Sequence, residues 1–447
     1  MDLIPSFRDL LQVFSAQMTA PTSRNFNQIA VGWLFSSRHT VASAVQGSGN
    51  DRTRHHSAYY RTFANASWDV DQVGWNLATK ILERYHPRVS TPVEIVIDDT
   101  NATKSGRKIF GTGWHYDPLA DSPGSKRSTW AHNWVTLAML AEPLRDQQKR
   151  VAMAVQARLY VPPKTAEKQD LPYRNKLDHA SDMLRTLCET YPNRKFRLLV
   201  DAAYGVGEMI TRLPSNCILV SRLRSDARLF QPLEPSPPNT KKGPGRPRIR
   251  GEEMNKAGSI FEASKQRTIR KLTLYGKETT VEWETFQACL YQAPSQLLRV
   301  VVVQFTEVKG KKPPLVTLYA TDPEMSPEKV IEAYCRRWAI EETFHDAKGR
   351  LGLDEPQCRS RKAVEHMAPT ILFLHAILWM WAGRARLGRQ AASRKAPWNR
   401  STQNLSLGDI IEIAREKHLE EIIKSSGLVG STWQKLTRPL CRMLRAA

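Results

Sequence analysis

The chain has 447 residues, of which 41% are hydrophobic, so it can bury a sizeable core in two or three domains and is not generally disordered. Lysine and arginine number 66 against 44 aspartates and glutamates, which gives a formal net charge of +22. This positive charge excludes the class of acidic proteins. It favours a polyanionic binding partner, with nucleic acid as the first candidate and a membrane surface as the second.

The cysteines and the apolar segments bear on the compartment. Six cysteines are scattered without a Cys-x-x-Cys pair, which argues against a zinc finger and fits reduced thiols in a cytosol. Asp2, Arg8 and Asp9 interrupt the N-terminal stretch before the apolar region of a signal peptide forms. No apolar run reaches the length of a membrane span, and Thr370–Trp381 is too short. We therefore expect a cytoplasmic protein with no membrane partner.

Residues 1–90 predict a mostly helical region. The segments PSFRDLLQVFSAQM and NQIAVGWLFSS carry apolar residues at helical spacing. The later segment RHHSAYYRTFANASWD mixes arginine, histidine and tyrosine, a combination that can hold phosphates and stack on bases. A helix that packs its aromatic side chains inward would contain the same residues, so both interpretations stay open.

Two apolar, β-rich runs each end in aspartate. VEIVID ends at Asp98 with Asp99 after it, and KFRLLV is followed by Asp201. A carboxylate at the C-terminal end of a strand points into the crevice where α/β proteins place their sites. The segment RSTWAHNWVTLAML predicts another buried strand, and GTGWHYDPLADSPGSK before it predicts a loop or hairpin. Asp201 has a second interpretation, as the cap of the helix predicted over GVGEMITRL.

Residues 224–312 predict a β-rich insertion that begins with a basic, proline-rich linker. The strand-like segments in it are TIRKLTLYG, TTVEWETFQACLY and LLRVVVVQFTE. Within the linker, the sequence Gly-Arg-Pro-Arg resembles an AT-hook core, whose arginines enter a narrow A·T minor groove. A solvated basic linker is the alternative interpretation. In either case we expect Arg246 and Arg248 to lie near DNA phosphates.

The segment YCRRWAIEETFHDAK predicts one continuous helix that Gly349 closes. At about 100° per residue, four polar side chains share a face roughly 60° wide, whereas Glu342 points well away from it. The four are Tyr334, Arg337, Glu341 and Lys348. A solvated charged face gives a similar pattern. A carboxylate between an arginine and a lysine also suits a site that holds both metal and phosphate.

The order Tyr, two residues, Arg, three residues, Glu, six residues, Lys resembles the helix motif of DDE transposases of the IS4-like superfamily, including IS701-like elements. The resemblance implies a catalytic core in which two strand aspartates and the helix glutamate meet. The matching residues in this chain are Asp98, Asp201 and Glu341. The segment IDDTNATKSG resembles an IS701-like segment whose first aspartate is the metal ligand, which favours Asp98. Some IS4-type relatives align Asp99 instead.

The resemblance also implies a cofactor and DNA contacts. Three carboxylates suit two Mg²⁺ ions, for which Mn²⁺ can substitute, because hard cations prefer oxygen ligands. The residues that the resemblance assigns to the phosphates of the transposon end are Tyr334, Arg337 and Lys348. Three cations that follow the first aspartates are candidates for contacts with the DNA backbone as single exposed charges; they are Lys104, Arg107 and Lys108.

The expected fold class is α/β, with an RNase H-like catalytic core, a β-rich insertion and helical N-terminal and C-terminal regions. The expected domains are a DNA-binding region over 1–90, the first part of the core over 91–223, the insertion over 224–312, the second part of the core over 313–390 and a basic helical tail over 391–447. An insertion between the second aspartate and the glutamate is a feature of the IS4-type family.

These observations predict a DNA transposase. It would bind the terminal inverted repeats of an insertion sequence as a homodimer, cleave the ends, and join the freed 3′-OH to target DNA in the bacterial cytoplasm, near the nucleoid. Two alternatives stay open. One is a DNA-binding regulator derived from a transposase and lacking catalysis. The other is an RNase H-like nuclease that hydrolyses DNA without joining it.

Overall fold

The computed structural model describes residues 5–117, 128–144, 149–233, 248–305, 314–387 and 404–425. The chain forms two compact units. Unit 1 comprises Met1–Pro87, Asp99–Lys176 and Ile340–Ala447, and unit 2 comprises Arg88–Asp98 and Leu177–Ala339. The chain therefore passes between the units four times, and one of these crossings falls between the adjacent residues Asp98 and Asp99.

Helices and strands occur in both units. The helices are α1 (Pro5–Ser15), α2 (Ala20–Phe35), α3 (Val41–Gly47), α4 (Ser57–Ala64), α5 (Val70–Tyr85), α6 (Pro163–Lys168), α7 (Lys176–Thr190), α8 (Gly207–Thr211), α9 (Ala257–Ala263), α10 (Pro327–Arg336), α11 (Ala339–Leu351), α12 (Arg361–Arg384) and α13 (Leu407–Ser425). The strands are β1 (Val93–Thr103), β2 (Gly113–Tyr116), β3 (Ser128–Ala141), β4 (Val151–Tyr160), β5 (Phe196–Val200), β6 (Cys217–Arg222), β7 (Leu229–Phe230), β8 (Thr268–Leu274), β9 (Lys277–Leu290), β10 (Ala293–Phe305) and β11 (Leu315–Ala320).

The N-terminal helices of unit 1 pack through their aromatic side chains. The rings of Phe14 and Phe26 stack with centroids 4.4 Å apart, and Trp68 lies edge-on to Phe14 at 6.3 Å. Burial of such rings contributes about 1.5–3 kcal/mol each, which stabilises short helices that are marginal alone. The helices predicted at the N-terminus are therefore confirmed as α1 and α2.

Both interpretations of the basic and aromatic segment around α4 apply, the inward-packed helix and the exposed surface, but to different residues. Tyr59 is fully buried, and its hydroxyl lies 3.0 Å from that of Thr53. Its neighbour Tyr60 is 44% exposed, and the rings of His55 and His56, both exposed, lie 4.1 Å apart. One tyrosine thus packs inward, while a basic and aromatic surface remains in solvent.

Helix α12 corrects the expectation that no segment is long enough to cross a membrane. It has 24 residues and passes that test by length and composition, yet 94% of its most apolar window is buried inside the protein. The expectation counted Thr370–Trp381, whereas the helix already begins at Arg361. Phe373 from this helix lies 6.3 Å from Phe14, so α12 serves as a core helix of unit 1.

The strands β2, β3 and β4 belong to unit 1 and pair antiparallel. Strand β3 was predicted, but β4 has no counterpart among the predicted strands, and β2 lies in the segment predicted as a loop or hairpin. Strand β4 is buried from Val151 to Ala157. The hydroxyl of Thr343 in α11 donates to the carbonyl of Ala152 at 2.8 Å, which attaches this helix to the strand.

Unit 2 contains a large mixed sheet, which confirms the α/β class. The first residues of β1 pair parallel with β5, and β5 pairs parallel with β6. Strand β6 then pairs antiparallel with β11, which leads through β10 to β9. The strands of the predicted β-rich insertion thus extend the same sheet rather than forming a separate one.

The prediction of one continuous helix over residues 334–348 is wrong, because the segment forms two helices. Helix α10 ends at Arg336 and α11 begins at Ala339. Between them the amides of Arg337 and Trp338 bond three residues back, at 3.1 and 3.3 Å, which is a tighter turn than an α-helix. Gly349 does not close α11. The glycine in the left-handed region is Gly352, with φ of 62°, directly after the helix.

Buried histidines should make the stability of unit 1 depend on pH. His132 in β3 is 3% exposed, and its Nε2 lies 2.8 Å from the carbonyl of Phe110. Burial lowers the pKa of His132 from 6.5 to about 4. The unfolded chain therefore binds a proton that the folded chain does not, and stability is lost as pH falls from 6.5 to about 4. The shift corresponds to about 3 kcal/mol.

We expect His132→Gln to flatten the fall in unfolding free energy between pH 7 and pH 4.5, measured by denaturant titration. His345→Gln is the control, because the side chain of His345 is 86% exposed. A pH dependence unchanged by His132→Gln would contradict this account.

Candidate active site

Two predicted carboxylates lie level with each other in unit 2. Val96 of β1 pairs with Leu199 of the parallel strand β5. Continuing that register by two residues places Asp98 opposite Asp201, on strands that neighbour each other at about 4.8 Å. Both lie just beyond the last paired residues of β1 and β5, at the C-terminal side of the parallel pair. Asp201 directly follows β5, as predicted, whereas the expectation that a strand ends at Asp98 is wrong, because β1 continues to Thr103.

Asp98 is held by an arginine of the predicted motif. Arg337 Nη1 donates to Asp98 Oδ2 at 2.8 Å, and the two side chains are only 12% and 13% exposed. The guanidinium also lies 5.9 Å from the ring of Tyr334. A charge-assisted bond in this shielded place is stronger than a surface ion pair. Arg337 therefore neutralises a carboxylate whose charge would otherwise be costly beside Asp201.

Asp201 is fixed by a tight turn. Its Oδ1 accepts the amides of Ala203 at 2.9 Å and Tyr204 at 3.2 Å. The cap position of α8 is Val206, so the interpretation of Asp201 as the cap of that helix is wrong. A side chain at Gly205 would come within 1.9 Å of the Ser221 hydroxyl, so the turn closes only with glycine there.

Tyr334 lies among the charges of this site. Burial raises the pKa of Tyr334, and the positive charges of Arg337 and Arg222 oppose that rise. The negative charge of Asp201 acts on Tyr334 as well. The phenol therefore stays protonated at neutral pH and can donate a hydrogen bond.

Arg222 is a residue that the sequence reasoning missed. Strand β6 ends at this exposed arginine, and the register of β5 with β6, in which Val200 pairs with Ser221, places Arg222 level with Asp201. The signal was available, since the strand run CILVSR ends in a charge as KFRLLVD does. Three charged residues thus stand in a row across three parallel strands, namely Asp98, Asp201 and Arg222.

Asp99 belongs to unit 1 and has partners of its own. Lys176 Nζ donates to Asp99 Oδ2 at 2.6 Å, and Asn133 Nδ2 donates to the same oxygen at 2.7 Å. Adjacent residues of a strand point to opposite faces. Asp98 and Asp99 therefore differ in direction and in partner, which supports Asp98 as the residue that faces Asp201.

The two neighbouring glutamates of α11 also differ. Glu342 is 51% exposed, and its Oε2 lies 3.5 Å from Lys149 Nζ, which describes a surface ion pair. Glu341 is half-buried and points about 100° away from it around the helix. Glu341 and Lys348 belong to unit 1, whereas Asp98, Asp201, Tyr334 and Arg337 belong to unit 2.

The expected DNA contacts have different surroundings. Lys104 is not an exposed cation: its Nζ donates to the carbonyls of Asp354 at 2.8 Å and Pro356 at 3.3 Å, and burial lowers its pKa. Burial raises the pKa of Asp354, and the charges of Lys348 and Lys104 oppose that rise. Arg248 is exposed, and Arg246 lies outside the described residues.

Oxygen donors of this kind fit a hard divalent cation. Among the residues that the structure describes, no three carboxylate, imidazole or thiol side chains are grouped to hold a metal ion. Mg²⁺ does not require such a cage, since one or two carboxylates and the phosphates of a substrate commonly hold it. Asp98 and Asp201 are two carboxylates of the type that such a site uses.

One comparison with known proteins identifies the family of the chain. A family model described as DDE superfamily endonuclease matches residues 13–288, a span that includes Asp98 and Asp201 and ends before α11. No curated protein matches the chain. The family implies a DNA substrate and a nuclease that uses divalent metal ions. The expected DDE class is thereby confirmed, and the IS4-like and IS701-like assignment stays a prediction. Since the match spans more than half of the 447 residues, the chain belongs to the DDE superfamily endonucleases.

Proposed function

We propose that this protein is a DNA transposase that binds the terminal inverted repeats of an insertion sequence, cleaves the ends and joins the 3′-OH to target DNA. The observation that carries the proposal is the level placement of Asp98 and Asp201 on parallel strands inside the span of the family match. Arg337 and Tyr334 stand beside them, which suits a site that holds metal and phosphate together.

In this proposal Asp98 and Asp201 hold divalent metal, and Glu341 supplies the third carboxylate from α11. Two Mg²⁺ ions, or Mn²⁺ in their place, would supply an activated water and neutralise charge on the phosphate. The turn at residues 201–205 fixes the direction of Asp201, and Arg337 balances Asp98 while DNA is absent. Holding these groups in place before DNA arrives lowers the cost of assembling the site.

The cations of the site are proposed to hold phosphates of the transposon end. Arg337 and Arg222 can each donate two parallel hydrogen bonds to a phosphate, whereas Lys348 acts as a point charge. Tyr334 contributes a neutral donor. Tyr334, Arg337 and Lys348 follow one another with Glu341 in the order and spacing of the IS4-like motif, so the subgroup is part of the proposal.

We also propose a fold for the core, an oligomeric state and a cellular location. The mixed sheet of unit 2 would be the RNase H-like core, and the N-terminal helices would bind the end DNA. The protein would act as a homodimer on two paired ends, in the bacterial cytoplasm at the nucleoid. The net charge of +22 supports a partner as acidic as DNA.

The function is tested with purified protein and a DNA duplex that carries the ends of its own element. With Mg²⁺ we expect cuts at the ends and, with target DNA added, covalently joined products on denaturing gels. Cuts without joined products would identify a hydrolytic nuclease. Binding without cuts in Mg²⁺ or Mn²⁺ would identify a regulator.

Substitutions should separate the adjacent aspartates. Asp98→Asn and Asp201→Asn keep the side-chain shape and remove a ligand charge, so cleavage of end DNA with Mg²⁺ should fall at least about 100-fold while binding is kept. Asp99→Asn should retain most of the cleavage, because Asp99 is paired with Lys176. Equal loss in Asp98→Asn and Asp99→Asn would contradict the choice of Asp98.

A matched pair on α11 tests the third carboxylate. Glu341→Gln should abolish cleavage and joining and leave end binding intact. Glu342→Gln removes only a surface ion pair with Lys149 and should cost at most about 1 kcal/mol of stability, with little change in cleavage. Both variants are measured on the same DNA with Mg²⁺ and with Mn²⁺. An inactive Glu342→Gln beside an active Glu341→Gln would show that the motif assignment is wrong.

A further inference from the structure

A groove of about 790 Å³ lies in unit 1 between two loops. One wall is residues 103–109, which begin at the last residue of the proposed ligand strand β1, and the other is residues 354–359, which follow α11. We call this the 103–359 groove. Its walls are tied by the amide of Thr103, which donates to Asp354 Oδ1 at 2.9 Å, and by the amide of Phe110, which donates to the Arg359 carbonyl at 3.1 Å.

The acidic groups of the groove are bonded to the protein itself. Asp354 accepts the Thr103 amide, and Glu355 accepts the backbone amide of His39. Lys104 is also turned inward, since its ammonium donates to two carbonyls of the opposite wall. Lys104 is therefore a brace between the walls and is badly placed to meet a ligand.

The remaining cations of the groove are exposed. Arg107 and Lys108 stand on one wall and Arg359 on the other, each at the surface. Arg107 lies 5.6 Å from the ring of Trp130, which limits the directions that its guanidinium can take. Glu355 is 40% exposed, but its carboxylate is bonded to His39, and three exposed cations outnumber it at the rim. The rim therefore presents net positive charge to a ligand.

In the sequence, both walls of the groove follow elements that carry residues of the proposed reaction. Its first wall begins where β1 ends, a few residues after Asp98, and its second wall begins after the helix that carries Glu341. Lys348 lies near enough to Asp354 for its charge to act on that carboxyl group. A strand held by Lys348 would therefore meet this groove as it continues.

We propose that the 103–359 groove binds the sugar–phosphate backbone of the DNA beside the cleavage point, with Arg107, Lys108 and Arg359 on its phosphates and Lys104 as the brace that holds the two walls together. This inference rests on the proposed function and adds a surface to it. An open groove with separated arginine and lysine tips suits successive phosphates of a strand better than one compact anion.

The test compares two triple variants on end DNA. The groove variant is Arg107→Ala, Lys108→Ala and Arg359→Ala, and its matched control is Arg84→Ala, Lys164→Ala and Lys168→Ala. The control removes the same charge from exposed positions of unit 1 outside the groove. Binding is measured from 50 to 200 mM salt. The slope of log K against log salt should become shallower by about 2–3 in the groove variant, since each lost phosphate contact removes about 0.9. The control should change by less than about 1.

Two further measurements define the ligand and the brace. Probes shortened on the element side or on the flanking side show which DNA occupies the groove, because the loss caused by the groove variant should vanish when that DNA is removed. Lys104→Met should lower the melting temperature and leave the slope nearly unchanged.

If the groove variant and its control had equal slopes while the wild-type protein still cleaved end DNA, DNA binding by the groove would be contradicted. The proposed transposase function would not be affected. A wild-type protein that does not bind end DNA would overturn both.

Discussion

The proposed chemistry depends on one constraint, the register that brings Asp98 and Asp201 level on adjacent parallel strands. Two unit charges about 5 Å apart repel by about 3 kcal/mol at an effective dielectric of about 20. The protein offsets this repulsion with Arg337, which bonds to Asp98, and with two backbone amides on Asp201. The groups that offset the repulsion, a guanidinium and backbone amides, are also of the kinds that bind phosphate.

The turn after β5 shows how tightly this arrangement is built. The carbonyl of Asp201 accepts the Ser221 hydroxyl at 2.9 Å and the Gly205 amide at 2.8 Å, while its carboxylate accepts the next amides of the chain. Backbone and side chain of one residue are therefore both fixed. The strand β6 supplies Ser221 to this turn and then ends in Arg222, so one strand supports the carboxylate and adds a cation beside it.

Much of this could be predicted from residue patterns, and the failures have physical causes. Asp98 and Asp201 were found because apolar β-rich runs that end in charge are a local signal. The break at Arg337 was missed, because the segment contains no glycine or proline and only its backbone hydrogen bonds show the turn. The sequence predicts an exposed Lys104, because the local sequence gives no indication of its hydrogen-bond acceptors. These are the carbonyls of Asp354 and Pro356, some 250 residues away. Contacts over such distances are set by the fold and leave no local pattern.

The ion pair between Lys176 and Asp99 distinguishes the second aspartate of the Asp98–Asp99 dipeptide from the first. Lys176 places its ammonium 2.6 Å from the Asp99 carboxylate and 5.5 Å from the ring of Tyr160. Loss of either charge would remove this ion pair and change the net charge of a partly shielded place. The Asp99 carboxylate therefore depends on the charges of unit 1, whereas the carboxylate of its chain neighbour Asp98 bonds to Arg337 in unit 2. Two identical side chains that are adjacent in the sequence are thus held by different ion pairs.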